Sequence, residues 1–328
     1  MGVSSLRVGV IGLGAVGERL IKLMQKRDDI VLAAFCDTSE DRLAHMAEKF
    51  EVTETYTDYE ELLVKPEIDA VYVAVPPKYH ENIVLRAVET GKHILCEKPL
   101  ANSVAEAKRM AAAVKNSELV HAMHFPLNYQ GGINRFEQLV QEGKHGEVRR
   151  LNLKMHFPHW PRLWQQNDWV GKREQGGFVL EVGVHWIQLM QRVFGEITEV
   201  KSKLQFPEDP EACETGIIAE MKFADGAEVL IDGLSNIAGE EQLEFGVYGT
   251  EGTLMIRNWR ELSAGKNEEA LSPVNGEDTE NKDLIGEFVK AVQGEPAQIY
   301  DFAAGYKAQV VLEALRDPAH DGWQKLEY

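Results

Sequence analysis

The sequence predicts an α/β protein: an N-terminal doubly wound parallel sheet, followed by a second α+β domain built on an open, largely antiparallel sheet. Three observations carry this. A short apolar run, Val8 to Ile11, breaks into Gly12-x-Gly14-x-x-Gly17 and continues as a helical pattern. Apolar strand-like runs and amphipathic helical patterns then alternate to about Met123, the mark of a parallel sheet. From Glu147 the pattern turns to two-residue alternation with hairpin signals, the mark of antiparallel strands with one buried face.

The first strand reads as buried on both faces. In the turn after it, Gly12 makes the tight bend, Gly14 lets the backbone approach a pyrophosphate, and Gly17 lets helix and strand pack closely. The helix carries Val16, Leu20, Leu23 and Met24 on one side, and its first N–H groups offer a site for negative charge. A second strand, Ile30 to Cys36, ends at Asp37, and 37 − 17 = 20 residues separate that acid from the last glycine. At that distance an acidic side chain meets the ribose hydroxyls of NAD in a Rossmann unit. The candidate cofactor residues here are Gly12, Leu13, Gly14, Ala15, Val16, Gly17, Asp37, Thr38 and Arg42. A glycine turn in a nucleotide-free α/β unit is the alternative. Asp37 would repel a 2′-phosphate, so NAD is expected over NADP. Arg42 could answer that phosphate but is read as lying on the helix face.

A helix from about Ser39 to Lys49 follows, with a short strand at Val52 to Tyr56 and a short helix around Leu62 that stops at Pro66. Ala70 to Val75 is a buried strand ended by Pro76-Pro77, and a helix from His80 to Thr90 ends at Gly91. Strand His93 to Cys96 leads into Glu97-Lys98-Pro99, with Pro99 a candidate cis proline. Ser103-x-x-Glu106 is a capping box opening the next helix, and Leu119 to Met123 is the sixth strand. Ligands of such a sheet lie beyond the carboxyl ends of its strands, where Asp37, Val75-Pro76-Pro77 and Glu97-Lys98 all fall. His80 could shape the cofactor loop or be an ordinary first residue of a helix.

Composition bounds the partners. The 328 residues suffice for two domains, set here at 1–123 (dinucleotide binding) and 124–328 (substrate binding and oligomerisation). The C-terminal helices are candidates to pack back on the first domain. The net charge of −18 argues against nucleic acid and against an anionic membrane surface. There is no apolar run of the roughly 18 residues a membrane span needs, and no signal peptide precedes the first strand. Cys36, Cys96 and Cys213 form no close pair, which reads as a reducing cytoplasm.

In the second half, Ile133 to Gln141 reads as a helix and Val148 to Phe157 as a strand. An aromatic stretch holds Trp160, Trp164 and Trp169, which could wall a pocket or simply pack. Gly176-Gly177 leads into a helix, Val179 to Phe194. Ile217, Ala219, Met221 and Phe223 share one strand face, Asp225-Gly226 is a hairpin turn, and Leu243 to Ile256 forms another hairpin. Glu261 to Asp278 reads as a long exposed loop, and two helices, Lys282 to Gln293 and Asp301 to Arg316, finish the chain.

In order, Gly12-x-Gly14-x-x-Gly17, Val75-Pro76-Pro77-x-x-His80, Glu97-Lys98-Pro99, Gly176-Gly177-x-x-x-Glu181-x-x-x-His185 and Tyr248-Gly249-Thr250-x-Gly252 resemble the glucose–fructose oxidoreductase / inositol dehydrogenase / MocA family over nearly the whole chain. The resemblance implies a Rossmann domain with bound NAD(H) or NADP(H), hydride exchange with a sugar, polyol or related carbonyl, and a sheet face that builds dimers or tetramers. Three positions depart from the family pattern. Glu181 and Gln188 stand where aspartates are usual, and Asn128 stands where an arginine is common. All three face the substrate side in the family.

The resemblance makes Lys98, His185 and Glu181 the catalytic candidates, with Asn128 beside them as a substrate-binding candidate; the aromatic stretch adds Trp164 as another. Lys98 can donate to a substrate oxygen; a surface lysine capping a loop is the alternative. Glu181 and His185, spaced i, i+4, share one helix face, so the carboxylate can orient the imidazole as a general acid/base; a surface ion pair is the alternative. His121-x-x-His124 and His156-x-x-His159 converge poorly, and no metal is expected. The reading is an NAD(P)-dependent dehydrogenase or reductase of CH–OH groups, forming a homodimer or homotetramer through the outer sheet face. The three departures motivate an alternative: a weakly catalytic, dinucleotide-binding regulatory or scaffold member.

Overall fold

The computed structural model describes residues 5–165, 167–274, 280–318 and 322–328. In chain order its elements are β1 (Leu6–Ile11), α1 (Ala15–Met24), β2 (Ile30–Cys36), α2 (Glu40–Phe50), β3 (Thr55–Tyr56), α3 (Tyr59–Leu63), β4 (Ala70–Val73), α4 (His80–Glu89), β5 (His93–Cys96), α5 (Val104–Val114) and β6 (His121–Met123). Then come α6 (Gly131–Gln141), β7 (Val148–Phe157), α7 (Val184–Phe194), β8 (Ile197–Gln205), β9 (Gly216–Phe223), β10 (Glu228–Ser235), β11 (Gln242–Gly249) and β12 (Gly252–Arg257). The chain closes with β13 (Glu261–Lys266), β14 (Ser272–Pro273), α8 (Leu284–Val292), α9 (Phe302–Arg316) and β15 (Gln324–Lys325). It divides into two compact units, residues 1–124 with 283–306, and residues 125–282 with 307–328.

The first unit is a six-stranded sheet in the order β3-β2-β1-β4-β5-β6, parallel throughout. Its central strands read as unbroken apolar runs because helices cover both faces: every residue of β4 is buried, and so are Val8 to Ile11 of β1. The helices start where short polar side chains supply caps. Ser39 accepts from the Arg42 N–H, Asp58 from Glu60 and Ser103 from Glu106. In the predicted capping box the Glu106 carboxylate reaches back to the Asn102 N–H at 3.0 Å. α1 and α4 differ: Gly14 and Tyr79 stand at their N-caps and supply no side-chain cap.

The second unit is a nine-stranded sheet in the order β14-β13-β12-β11-β7-β10-β9-β8-β15. It is antiparallel except for β7 and β10, which run parallel. Ile217, Ala219, Met221 and Phe223 are buried on one face, while Ile218 on the other is 57 % exposed. The loop expected over 261–278 is corrected: residues 261–266 and 272–273 are strands that extend the sheet beyond β12. They are polar because they lie at its margin, where only Leu262 is buried, so no apolar alternation marked them. Residues 275–279 of that expectation lie outside the described residues. Two ends shift inwards, since β3 begins at Thr55 rather than Val52 and β6 at His121 rather than Leu119. The helix expected from Val179 opens as a π-helical turn, Val179–Gly183, before α7. Such turns insert an extra residue and recur at functional sites.

Candidate active site

In the first unit, the residues after β1 form a cradle. Gly12 has φ +94°, and a Cβ there would come 2.5 Å from the Ala74 carbonyl oxygen. A Cβ at Gly17 would come 2.3 Å from the Gly12 carbonyl oxygen, while one at Gly14 would meet nothing within 4 Å. The first and third glycines therefore serve the protein's own backbone, and the middle one leaves a face open. Leu13 is buried, Val16 half-buried and Ala15 exposed at the uncapped start of α1. The β1–α1 turn is tied to the acid at the end of β2: the Leu13 N–H donates to Asp37 Oδ2 at 2.9 Å and the Ser39 N–H to Oδ1 at 2.9 Å. Arg42 is corrected. Its Nη1 turns to Asp37, 3.1 Å from Oδ1 and 3.2 Å from Oδ2, rather than lying along the helix face. The charge of a buried carboxylate draws it there. Thr38 is exposed beside them.

At the next strand ends, Val75 and Pro76 are half-buried and Pro77 buried. His80 is fully buried. Its Nε2 lies 2.9 Å from the Val75 carbonyl oxygen, and its Nδ1 lies 3.1 Å from those of Pro99 and Leu100. One ring thus ties the loop after β4 to the loop after β5. Burial pushes its pKa down, against the pull of those carbonyls. Lys98 is half-buried, and its bond to Pro99 is cis. Glu97, just before it, is buried in a network absent from the sequence reading. Its Oε1 accepts from the Tyr72 hydroxyl at 2.6 Å and lies 2.6 Å from His124 Nδ1. Burial alone would raise the Glu97 carboxyl, but attraction to and hydrogen bonding with His124, then Tyr72 and the Lys98 charge, hold it down at about 2. Glu97 therefore stays ionised beneath the loop that carries Lys98.

In the second unit, Glu181 and His185 are buried, at 8 % and 7 % exposure. Gln165 Nε2 lies 3.5 Å from Glu181 Oε2. The His185 ring stands edge-on between two aromatics, 6.0 Å from Phe125 and 5.6 Å from Trp259 between centroids. Trp259, in the β12–β13 turn at φ +70°, also stacks on Trp186 at 5.7 Å. It was missed because nothing local marks a tryptophan in a hairpin turn as a neighbour of residue 185. Two of the three family departures meet each other: Asn128 Nδ2 donates to Gln188 Oε1 at 2.5 Å. Both are buried, and Asn128 Oδ1 has no hydrogen-bond partner among the described residues. Trp164 is 59 % exposed, while Trp160 packs on Phe157 and Phe178.

Among the described residues no group of three or more His, Cys, Asp or Glu side chains could hold a metal ion, and no helix is long and apolar enough to cross a membrane. The three cysteines are buried free thiols.

Comparison with known proteins finds matches in both halves of the chain. Residues 6–125 match the profile of the oxidoreductase family with an NAD-binding Rossmann fold, and residues 133–255 match the GFO/IDH/MocA C-terminal domain. The chain is 28 % identical to myo-inositol 2-dehydrogenase of Thermotoga maritima over 79 % of its own length and 77 % of the relative's. It is 25 % identical to D-glucoside 3-dehydrogenase of Escherichia coli over 97 % of both chains. Among solved structures, levoglucosan dehydrogenase in complex with NADH superposes with a TM-score of 0.87 at 22 % identity, covering 99 % of this chain and 100 % of that one, which establishes a shared fold. With its glycine cradle, its acid at the end of β2 and both halves of its sequence matched, the chain belongs to the Gfo/Idh/MocA family of NAD-binding oxidoreductases.

Proposed function

We propose that this protein is a dehydrogenase or reductase exchanging a hydride between a secondary alcohol of a sugar, polyol or related compound and a nicotinamide cofactor, NAD(H) in preference to NADP(H). The observation that carries it is the cradle of Gly12, Gly14 and Gly17 tied to Asp37. A Cβ at Gly14 would fill the open face where a pyrophosphate fits, and the uncapped N–H groups of α1 suit its charge. Asp37, oriented by the Leu13 and Ser39 N–H groups, accepts from ribose hydroxyls and repels a 2′-phosphate. Arg42 weakens that repulsion by partly neutralising Asp37, so the preference is for NAD without being absolute. When bound, the nicotinamide supplies the hydride acceptor or donor.

In this reading Lys98 donates to the substrate oxygen, with ionised Glu97 and His124 fixing the loop beneath it. His185 takes or returns the hydroxyl proton, oriented by Glu181. Asn128 Oδ1 is an acceptor for a further substrate hydroxyl. The Asn128–Gln188 hydrogen bond also removes much of the motive for a regulatory reading, because these two departures are matched to each other as donor and acceptor. The dehydrogenases of inositol, glucosides and levoglucosan among the relatives support the substrate class.

We further propose a cytoplasmic homodimer or homotetramer built through the outer sheet face, where Ile218 and Tyr248 are exposed and Leu230 and Leu234 half-buried. The decisive experiment screens polyols, sugars and their keto forms with NAD(H) and NADP(H), following absorbance of the reduced cofactor. Turnover lost in Lys98→Ala and His185→Gln with cofactor binding kept is expected. Full turnover in either variant removes that residue from the mechanism, and tighter binding of NADP overturns the role of Asp37.

A further inference from the structure

Glu214 and Arg316 lie 33 and 135 residues from Glu181 (214 − 181 and 316 − 181), outside every motif, yet both act on the segment that opens the helix of Glu181 and His185. Glu214 is 3 % exposed, and its Oε1 accepts from the Val179 N–H at 2.8 Å. The carboxylate lies so close to Gly177, at φ +98°, that a Cβ there would come 2.2 Å from Oε2. A Cβ at Gly176 would come 2.2 Å from the Val170 carbonyl oxygen. The Gly176-Gly177 pair thus exists to let the carboxylate and neighbouring backbone close in.

From the other side, Arg316 at the end of α9 donates through Nη2 to the carbonyls of Arg173 at 2.7 Å and Gly176 at 3.1 Å. The Gly177 carbonyl in turn accepts from the Glu181 N–H at 2.9 Å, at the start of the π turn. Burial pushes the Glu214 carboxyl up and the Arg316 guanidinium down, and the charge of each opposes the shift in the other. A cavity of about 100 Å³ lies beside the pair, lined by Arg173, Leu204, Phe206, Glu214, Arg316 and Pro318.

We propose that Glu214 and Arg316 are positioning residues: together they hold residues 173–179 in the one conformation that launches the π turn, and so set where Glu181 stands relative to His185. The inference rests on the reading that Glu181 and His185 move the proton.

The test uses the full chain with 15N-labelled histidine and follows the His185 ring, assigned by its absence in His185→Gln. Phe125 and Trp259 flank that ring, so its proton shifts report its position. Glu214→Ala and Arg316→Ala should move the His185 resonances and its titration midpoint more than those of any other histidine, with NAD affinity unchanged. Glu214→Gln, which keeps an acceptor for Val179, should stay close to the parent. Guanidinium chloride at millimolar levels, entering the adjoining cavity, should restore the His185 signals in Arg316→Ala. Folded Ala variants with unmoved His185 signals overturn the proposal. If those variants do not fold, Arg316→Lys decides: a lysine cannot span both carbonyls, so displaced signals support the proposal and unmoved ones refute it. Full turnover in His185→Gln would instead strike the proton role and leave the structural coupling standing.

Discussion

Substituting the glycines of the β1–α1 turn one at a time separates those that serve the fold from the one that serves the ligand. Gly17→Ala drives a Cβ to 2.3 Å from the Gly12 carbonyl oxygen and to 3.6 Å from the Ala74 Cβ. The obstacle is backbone, which cannot rotate away, so α1 must shift off the sheet. Overpacking of this kind costs about 1–3 kcal/mol. At about 3 °C per kcal/mol for a unit of this size, Tm should fall by about 3–9 °C. Gly14→Ser is the opposite case. Its site is sterically empty, its backbone is extended at φ −67° and ψ −174°, and it is the N-cap of a helix without a side-chain cap. Serine supplies that cap, so stability should hold or rise by a few tenths of a kcal/mol. Its side chain nevertheless fills the face proposed for the pyrophosphate, and NAD affinity should drop tenfold or more, about 1.4 kcal/mol. Differential scanning calorimetry and calorimetric titration with NAD read the two effects. A Gly14→Ser protein that binds NAD like the parent would refute the placement of the cofactor, and a Gly17→Ala protein with unchanged Tm would refute the steric argument.

Glu97 makes stability depend on acid. Its carboxyl is held at about 2 against an ordinary 4.5, so the ionised form contributes stability above pH 4.5 that is lost as pH falls toward 2. The gap is worth on the order of 3 kcal/mol, and urea midpoints of the parent and of Glu97→Gln should converge through that window; a constant difference would count against the buried network. Ile218→Asp should convert the proposed oligomer to a monomer by light scattering with cofactor binding intact, and loss of folding instead would show that this face belongs to the core. Trp164→Ala, at a site 59 % exposed, should change stability by less than about 0.5 kcal/mol, so a raised KM would mark a substrate contact and an unchanged one would remove Trp164 from the site.

Local signals determined a good deal of this protein. A glycine turn between a buried strand and a helix, with an acid twenty residues on, is legible because each residue answers to its immediate backbone: Gly12 to a positive φ, Gly17 to a carbonyl beneath it, Asp37 to the N–H of Leu13. Strands with apolar alternation, such as β9, and fully apolar ones, such as β4, were legible for the same reason. Polar β13 and β14 were not, because a strand at the margin of a sheet is held by backbone hydrogen bonds that leave no mark on side-chain pattern.

What only the tertiary structure decided are meetings between residues distant in sequence. His124 and Tyr72 converge on Glu97, Trp259 and Phe125 flank His185, and Asn128 satisfies Gln188 across 60 positions. Arg42, expected on its helix face, turns to Asp37, drawn by the charge of a buried carboxylate. Periodicity records which side of an element is apolar; it does not record which charge or ring waits at the far end of another element, and that is where the chemistry of this chain is assembled.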